Sequence, residues 1–125
     1  MKIEVSVGEV LDKITILKIK SEKIADEDKL RHVQKELHIL EATIRDEGVS
    51  VPAELVAELQ KVNQTLWDTE DIIRECEKNT DFGGEFVKHA RLDAKLNDER
   101  FLIKNRINIA SESLIQEQKS YDGLY

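Results

Sequence analysis

Two strips of polar residues carry most of the chemistry this chain can offer. Asn63, Trp67, Glu70 and Arg74 recur at helical spacing, and so do Asp93, Asn97, Arg100, Lys104 and Asn108. At 3.6 residues per turn, each set lines one side of a helix, between an apolar face and a charged one. Asp12 and Lys13 near the N-terminus, with Lys20 two turns later, supply a third contribution. Asn is a poor interior helix residue, so Asn63, Asn97, Asn105 and Asn108 on two helices need partners. Arg and Lys beside amides and an indole are groups that grip an anionic, sugar- or nucleotide-like ligand. The same groups can close on one another as a buried network that fixes helix register. The candidate ligand-binding set is Asp12, Lys13, Asn63, Trp67, Asn97, Arg100, Lys104 and Asn108, and spacing alone leaves both readings open.

Other chemistry has less support. A ferritin-like metal site needs Glu and His three apart on two helices, yet His32, His38 and His89 have no Glu three positions before them. Glu9 and Asp12 have the spacing to share Mg²⁺, as do Asp68 and Asp71 with Glu75, but the latter three oppose an apolar stripe and read as solvated. Glu9 and Asp12 are therefore the weak metal candidates, for a hydrolase of nucleotides. No Gly-x-Ser-x-Gly or Walker-type loop is present. A chorismate-mutase-like site needs several cations converging on a dicarboxylate, and the first helix has Lys but no Arg. No cofactor is expected.

The elements that must position these residues follow from a 3-4 spacing of apolar side chains. Val7, Val10, Ile14, Leu17 and Ile24 begin it. Leu30, Val33, Leu37, Leu40 and Ile44 repeat it, and Leu55, Leu59, Val62, Leu66, Ile73 and Cys76 run it a third time, with Thr69 in one slot. Such stripes belong to helices that bury one side against each other. The first helix should run from about Val7 to Ile24, capped by Ser6 with Glu9 completing a capping box. Leu11, Ile16 and Ile19 make it apolar around much of its circumference, as a central helix would be. The second spans roughly Asp28 to Glu47 and stops at Gly48. The third runs from Pro52 to about Asn79. Asp81-Phe82-Gly83-Gly84 breaks the chain, and a fourth helix follows from Glu85, either continuous or interrupted at Asn97-Asp98.

Composition agrees with helix-on-helix packing. The 125 residues include a single Pro, 36% are charged, and only 5% are aromatic, so Leu, Ile and Val must fill the interior. A net charge of −7 argues against nonspecific nucleic-acid binding. One cysteine, Cys76, excludes an intrachain disulfide. The first residues lack a signal peptide's apolar core and no apolar run has membrane-spanning length, so a cytoplasmic protein without membrane contact is expected.

The opening Val5-Ser6-Val7-Gly8-Glu9-Val10-Leu11-Asp12-Lys13-Ile14-Thr15-Ile16-Leu17-Lys18-Ile19-Lys20 resembles a family of small uncharacterised bacterial and viral helical proteins. Val62-Asn63 with Leu66-Trp67, Asn97-Asp98-Glu99-Arg100 with Ile103-Lys104 and Ile107-Asn108, and Lys119-Ser120-Tyr121 extend the likeness over nearly the whole chain. The resemblance implies a discrete family with a domain of unknown function and supplies no activity.

These readings converge on an all-α fold: one antiparallel helical bundle over residues 1–125, with an extended arm at 1–6, three long helices, a fourth of uncertain continuity and a tail at 114–125. The function expected first is a noncatalytic interaction or assembly module, homodimeric through a residual apolar stripe. The alternative is a binding protein or enzyme for a small anionic ligand at the polar cluster.

Overall fold

A computed structural model describes residues 1–113 and 117–120, and over them the chain forms four helices and no strand. They are α1 (Val7–Lys23), α2 (Glu27–Asp46), α3 (Ala53–Lys78) and α4 (Gly84–Ala110). Of the tail expected at 114–125, all but residues 117–120 lie outside the described residues. The arm at residues 1–6 carries no regular structure and leads into the Ser6 cap, whose Oγ accepts from Glu9 N at 3.1 Å. Half of the expected capping box is therefore present. The Glu9 carboxylate completes no box, because it reaches Lys104 on α4 instead.

The helix ends follow local chemistry. Asp26 caps α2 by accepting from Lys29 N. Gly48 takes the left-handed conformation, φ +65°, and lets Val49 N donate back to Ile44 O. After α3, Thr80 adopts φ 54° and Asp81 N returns to Cys76 O. α4 then runs without interruption through Asn97 to Ala110, because the Asn97 amide bonds the backbone one turn back, at Asp93 O, rather than capping a new helix.

α1 is the central element, packing on α2, α3 and α4, whereas the backbone of α2 comes close to that of α1 alone. This is why α1 is apolar on several sides. Val10, Leu11 and Ile14 of α1 meet Leu59 of α3 and Ile103 and Ile107 of α4 in the main core, with Leu37, Leu40 and Ile44 of α2 only partly covered against it. Val33 is the one buried residue of α2. The α2 stripe is legible in the sequence but is shallower than its regularity implies. No helix among the described residues is long and apolar enough to cross a membrane.

One contact sets the distance between α1 and α4. A Cβ at Gly8 would lie 2.6 Å from Lys104 O and 2.8 Å from Asn108 Oδ1, so the two helices approach backbone to backbone. Gly inside an exposed helix is ordinarily worse than Ala by about 1 kcal/mol. Here the sign reverses: Gly8→Ala is expected to lower stability by about 1–3 kcal/mol through overpacking. Thermal unfolding followed by circular dichroism checks this, and a Gly8→Ala protein as stable as the parent would contradict the close approach.

Candidate functional site

The buried side of α1 that faces α3 and α4 is lined by Gly8, Asp12, Thr15 and Ile19, at 4-3-4 spacing. Opposite it, α4 places Arg100, Lys104 and Asn108 at successive turns, and α3 contributes Asn63. Contacts of Gly8 with Asn108 and of Asp12 with Arg100 run in opposite registers, so α1 and α4 are antiparallel here. Ile103 and Ile107 occupy the adjacent α4 stripe within the core. A helix with two neighbouring buried stripes, one apolar and one ionic, fills the junction.

Asp12 is the hub, with 1% of its surface exposed. Its Oδ1 accepts from Asn63 Nδ2 at 2.9 Å and from Arg100 Nε at 2.8 Å, and its Oδ2 accepts from the second arm of the Arg100 fork. The remaining Asn63 Nδ2 hydrogen goes to Thr15 Oγ1 at 2.8 Å, and Thr15 donates to Asp12 O. Arg100 also donates to Asn97 Oδ1 at 3.3 Å. The hydrogen bond to Asp12 raises the Arg100 pKa above its ordinary value, against the opposing effect of burial. A bidentate guanidinium–carboxylate pair of this kind is the stronger, orientation-specific form of ion pair.

Lys104 is buried beside this hub. Its Nζ donates to Glu9 Oε2 at 2.8 Å and lies 4.0 Å from Asp12 Oδ2 and 3.7 Å from Glu117 Oε2. One turn further, Asn108 Oδ1 accepts from Gly8 N at 2.7 Å, while Ser113 Oγ accepts from Val7 N at 3.1 Å. The C-terminal end of α4 thus satisfies the otherwise orphaned first amides of α1. Asn108 is a cap delivered from a hundred residues away.

The eight candidates do not all meet. Asp12, Asn63, Arg100, Lys104 and Asn97 share one network, and Asn108 holds the end of α1 beside it. Lys13 is exposed and pairs with Glu36 of α2 at 3.7 Å. Trp67 is half-buried on α3, and no hydrogen bond or ion pair ties it to the cluster. Glu9 and Asp12, the carboxylates spaced for Mg²⁺, each hold a cation of α4. No group of three or more His, Cys, Asp or Glu among the described residues is placed to hold a metal ion.

Three participants escaped the sequence reading: Gly8, Thr15 and the partnership of Glu9 with Lys104. Gly8 carried a usable signal, since glycine in the first turn of an otherwise regular helix asks for a close neighbour. On the outer side of the cluster a small polar cleft of about 180 Å³ opens, lined by Glu9, Asn97, Arg100, Lys104, Glu117 and Lys119 among others. These six carry three positive and two negative side chains; with Asp12 behind them the charges balance.

A second polar feature lies further along α4. Glu70 of α3 faces Asp93, and Asp93 Oδ1 is buried with no hydrogen-bond partner among the described residues. Burial, the hydrogen bond to Asp93 and the Asp93 charge push the Glu70 pKa up, while Arg74 and Arg100 pull it down less strongly. Asp93 Oδ2 accepts from Asn97 Nδ2 at 3.4 Å, so a proton on Glu70 would serve Oδ1, the atom left without a donor. Because the folded value exceeds the ordinary one near 4.5, this group favours folding at low pH and loses that contribution as pH rises through the raised value. The melting temperature of Glu70→Gln relative to the parent should therefore rise as pH increases from about 4.5, so that Glu70→Gln melts higher at pH 7. Parallel melts of the two proteins across this range provide the check; identical profiles would show that the pair holds no proton.

The fold and site define an all-helical protein whose most buried polar groups are locked to one another across three helices. The chain belongs to the DUF6165 family of unknown function, whose profile matches residues 1–124. No curated protein and no solved structure matches it.

Proposed function

We propose that this chain is a single antiparallel helical bundle that acts as a noncatalytic interaction module in a reducing, aqueous compartment. The observation that carries this reading is the self-neutralised state of the polar cluster. Both Asp12 oxygens are consumed by Asn63 and Arg100, and the Lys104 amine is held by Glu9. A general base or nucleophile must have a lone pair free to meet substrate. Asp12, the acid at the centre, is committed to a cation that cannot leave without exposing a buried charge, and Glu9 holds the buried Lys104 through Oε2. What the chain has left to offer is surface, and that suits association. The buried free thiol of Cys76 supports a reducing compartment.

A second reading is favoured by the 180 Å³ polar cleft, where Arg100 and Asn97 face solvent beside Lys104. A phosphate or carboxylate of a small ligand fits such a cleft, with the Nη1 side of Arg100, the edge not spent on Asp12, as its donor. A thermal-shift screen with nucleotides, sugar phosphates and divalent ions separates the two. The interaction-module reading expects no shift beyond a matched salt control. A dose-dependent rise of several degrees, abolished by Arg100→Gln, would overturn it in favour of a ligand site.

A further inference from the structure

On the side of α3 and α4 away from α1, the two helices part into a groove of about 480 Å³ between Glu58 and Arg106. Val62 and Ile103 line it together with the outward-facing Leu102. Leu102 is 51% exposed, and Ile109, seven residues on and therefore on the same face of α4, is 63% exposed. A large aliphatic side chain standing at the lip of an apolar groove costs solubility unless something covers it.

The charges around the groove indicate what that is. Glu58 and Arg106 bridge it at one end, 3.4 Å apart, and neutralise each other. That leaves Lys61 on α3 and Glu99 on α4, opposite charges on opposite sides of the apolar centre, neither in an ion pair among the described residues. Such a surface is complementary to itself. Rotated by a half-turn about an axis through its centre, each Lys61 meets the partner's Glu99, both pairs form at once, and the two Leu102 side chains come together over the grooves. An isologous dimer interface requires this kind of self-complementarity. Two chains of net charge −7 repel one another, so association is easiest at a face where acid and base balance, as they do here.

We propose that the α3–α4 groove is the interface of a two-fold symmetric dimer of this chain, centred on Leu102 and ordered by reciprocal Lys61–Glu99 pairs. The proposal rests on the interaction-module reading and names its partner as a second copy. Its test uses the full chain in light scattering after gel filtration and in sedimentation equilibrium, over about 1–100 µM, where interfaces of ordinary size dissociate. The parent should pass from monomer to dimer across this range. Leu102→Glu should be monomeric throughout with unchanged helicity, since the residue is already half in solvent. Lys61→Glu places two carboxylates together twice and should weaken the dimer roughly tenfold. The double variant Lys61→Glu/Glu99→Lys restores opposite charges where position 61 of one copy meets position 99 of the other and should dimerise like the parent. A parent that stays monomeric, a Leu102→Glu protein that still dimerises, or a double variant no better than the single one would each overturn the proposal. A monomeric parent overturns the dimer and leaves the interaction-module reading to other partners, whereas the ligand screen strikes that reading itself, so the two failures are distinguishable.

Discussion

Asp12 is a carboxylate with almost no access to water, and the rest of the structure is arranged around keeping it satisfied. Burying an unpaired carboxylate costs far more than the whole stability of a domain this size, so its partners must arrive together with it. Arg100 brings a two-pronged donor from α4, and Asn63 brings an amide from α3. Three helices are thereby fixed in rotation, because a turn of any one by a single residue removes a donor. The apolar core of Val10, Leu11, Ile14, Leu59, Ile103 and Ile107 supplies driving force but is tolerant of sliding. The ionic hub supplies register.

Gly8 and Asn108 extend that logic to the N-terminal end of α1. With no Cβ at position 8, α1 comes close enough for the Asn108 amide to cap it, which in turn brings Lys104 under the Glu9 and Asp12 carboxylates. The outcome is a cluster in which acids and bases cancel. Clusters assembled for catalysis are usually left unbalanced, with one group poised to gain or lose a proton or to meet substrate. The cancellation here is the physical ground for treating the cluster as architecture and the surfaces as the working parts. The Glu70–Asp93 pair is the exception to the balance, two acids facing each other, with burial and Asp93 pushing the Glu70 pKa up.

Much of this was legible in the chain itself. The stripes of Val10, Ile14 and Leu17 and of Leu59 and Leu66 specify helices because the 3.6-residue turn leaves no other way to bury them, and Ser6, Gly48 and the Gly83-Gly84 break mark their ends. The polar strip of α4 was equally readable, since Asn97, Lys104 and Asn108 sit where apolar residues were due. Which partners they take was not readable. Asn63 is buried and Val62 only half-buried, a rotation of α3 that its apolar spacing does not specify. Lys13 follows a true participant in sequence, yet a helix turns each neighbour about a hundred degrees away, and Lys13 pairs with Glu36 of α2. Trp67 lies one turn beyond Asn63 and is half-buried, so its spacing gave no sign that it stands outside the network. The depth of α2 was overstated for a related reason: periodicity reports which side faces inward, and says nothing of how many helices wait there.

The central claim is that the Asp12–Arg100 pair acts as a lock on helix register. Its most direct test is a denaturant-unfolding double-mutant cycle using Asp12→Leu, Arg100→Met and the two combined. A buried pair is badly hurt by losing one member, by about 3–5 kcal/mol, but replacing both by apolar groups of similar volume is often nearly neutral. The account predicts two strongly destabilised single variants and a double variant that recovers most of the parent's stability and all of its helicity. A double variant as unstable as the two losses summed, or single variants as stable as the parent, would contradict it.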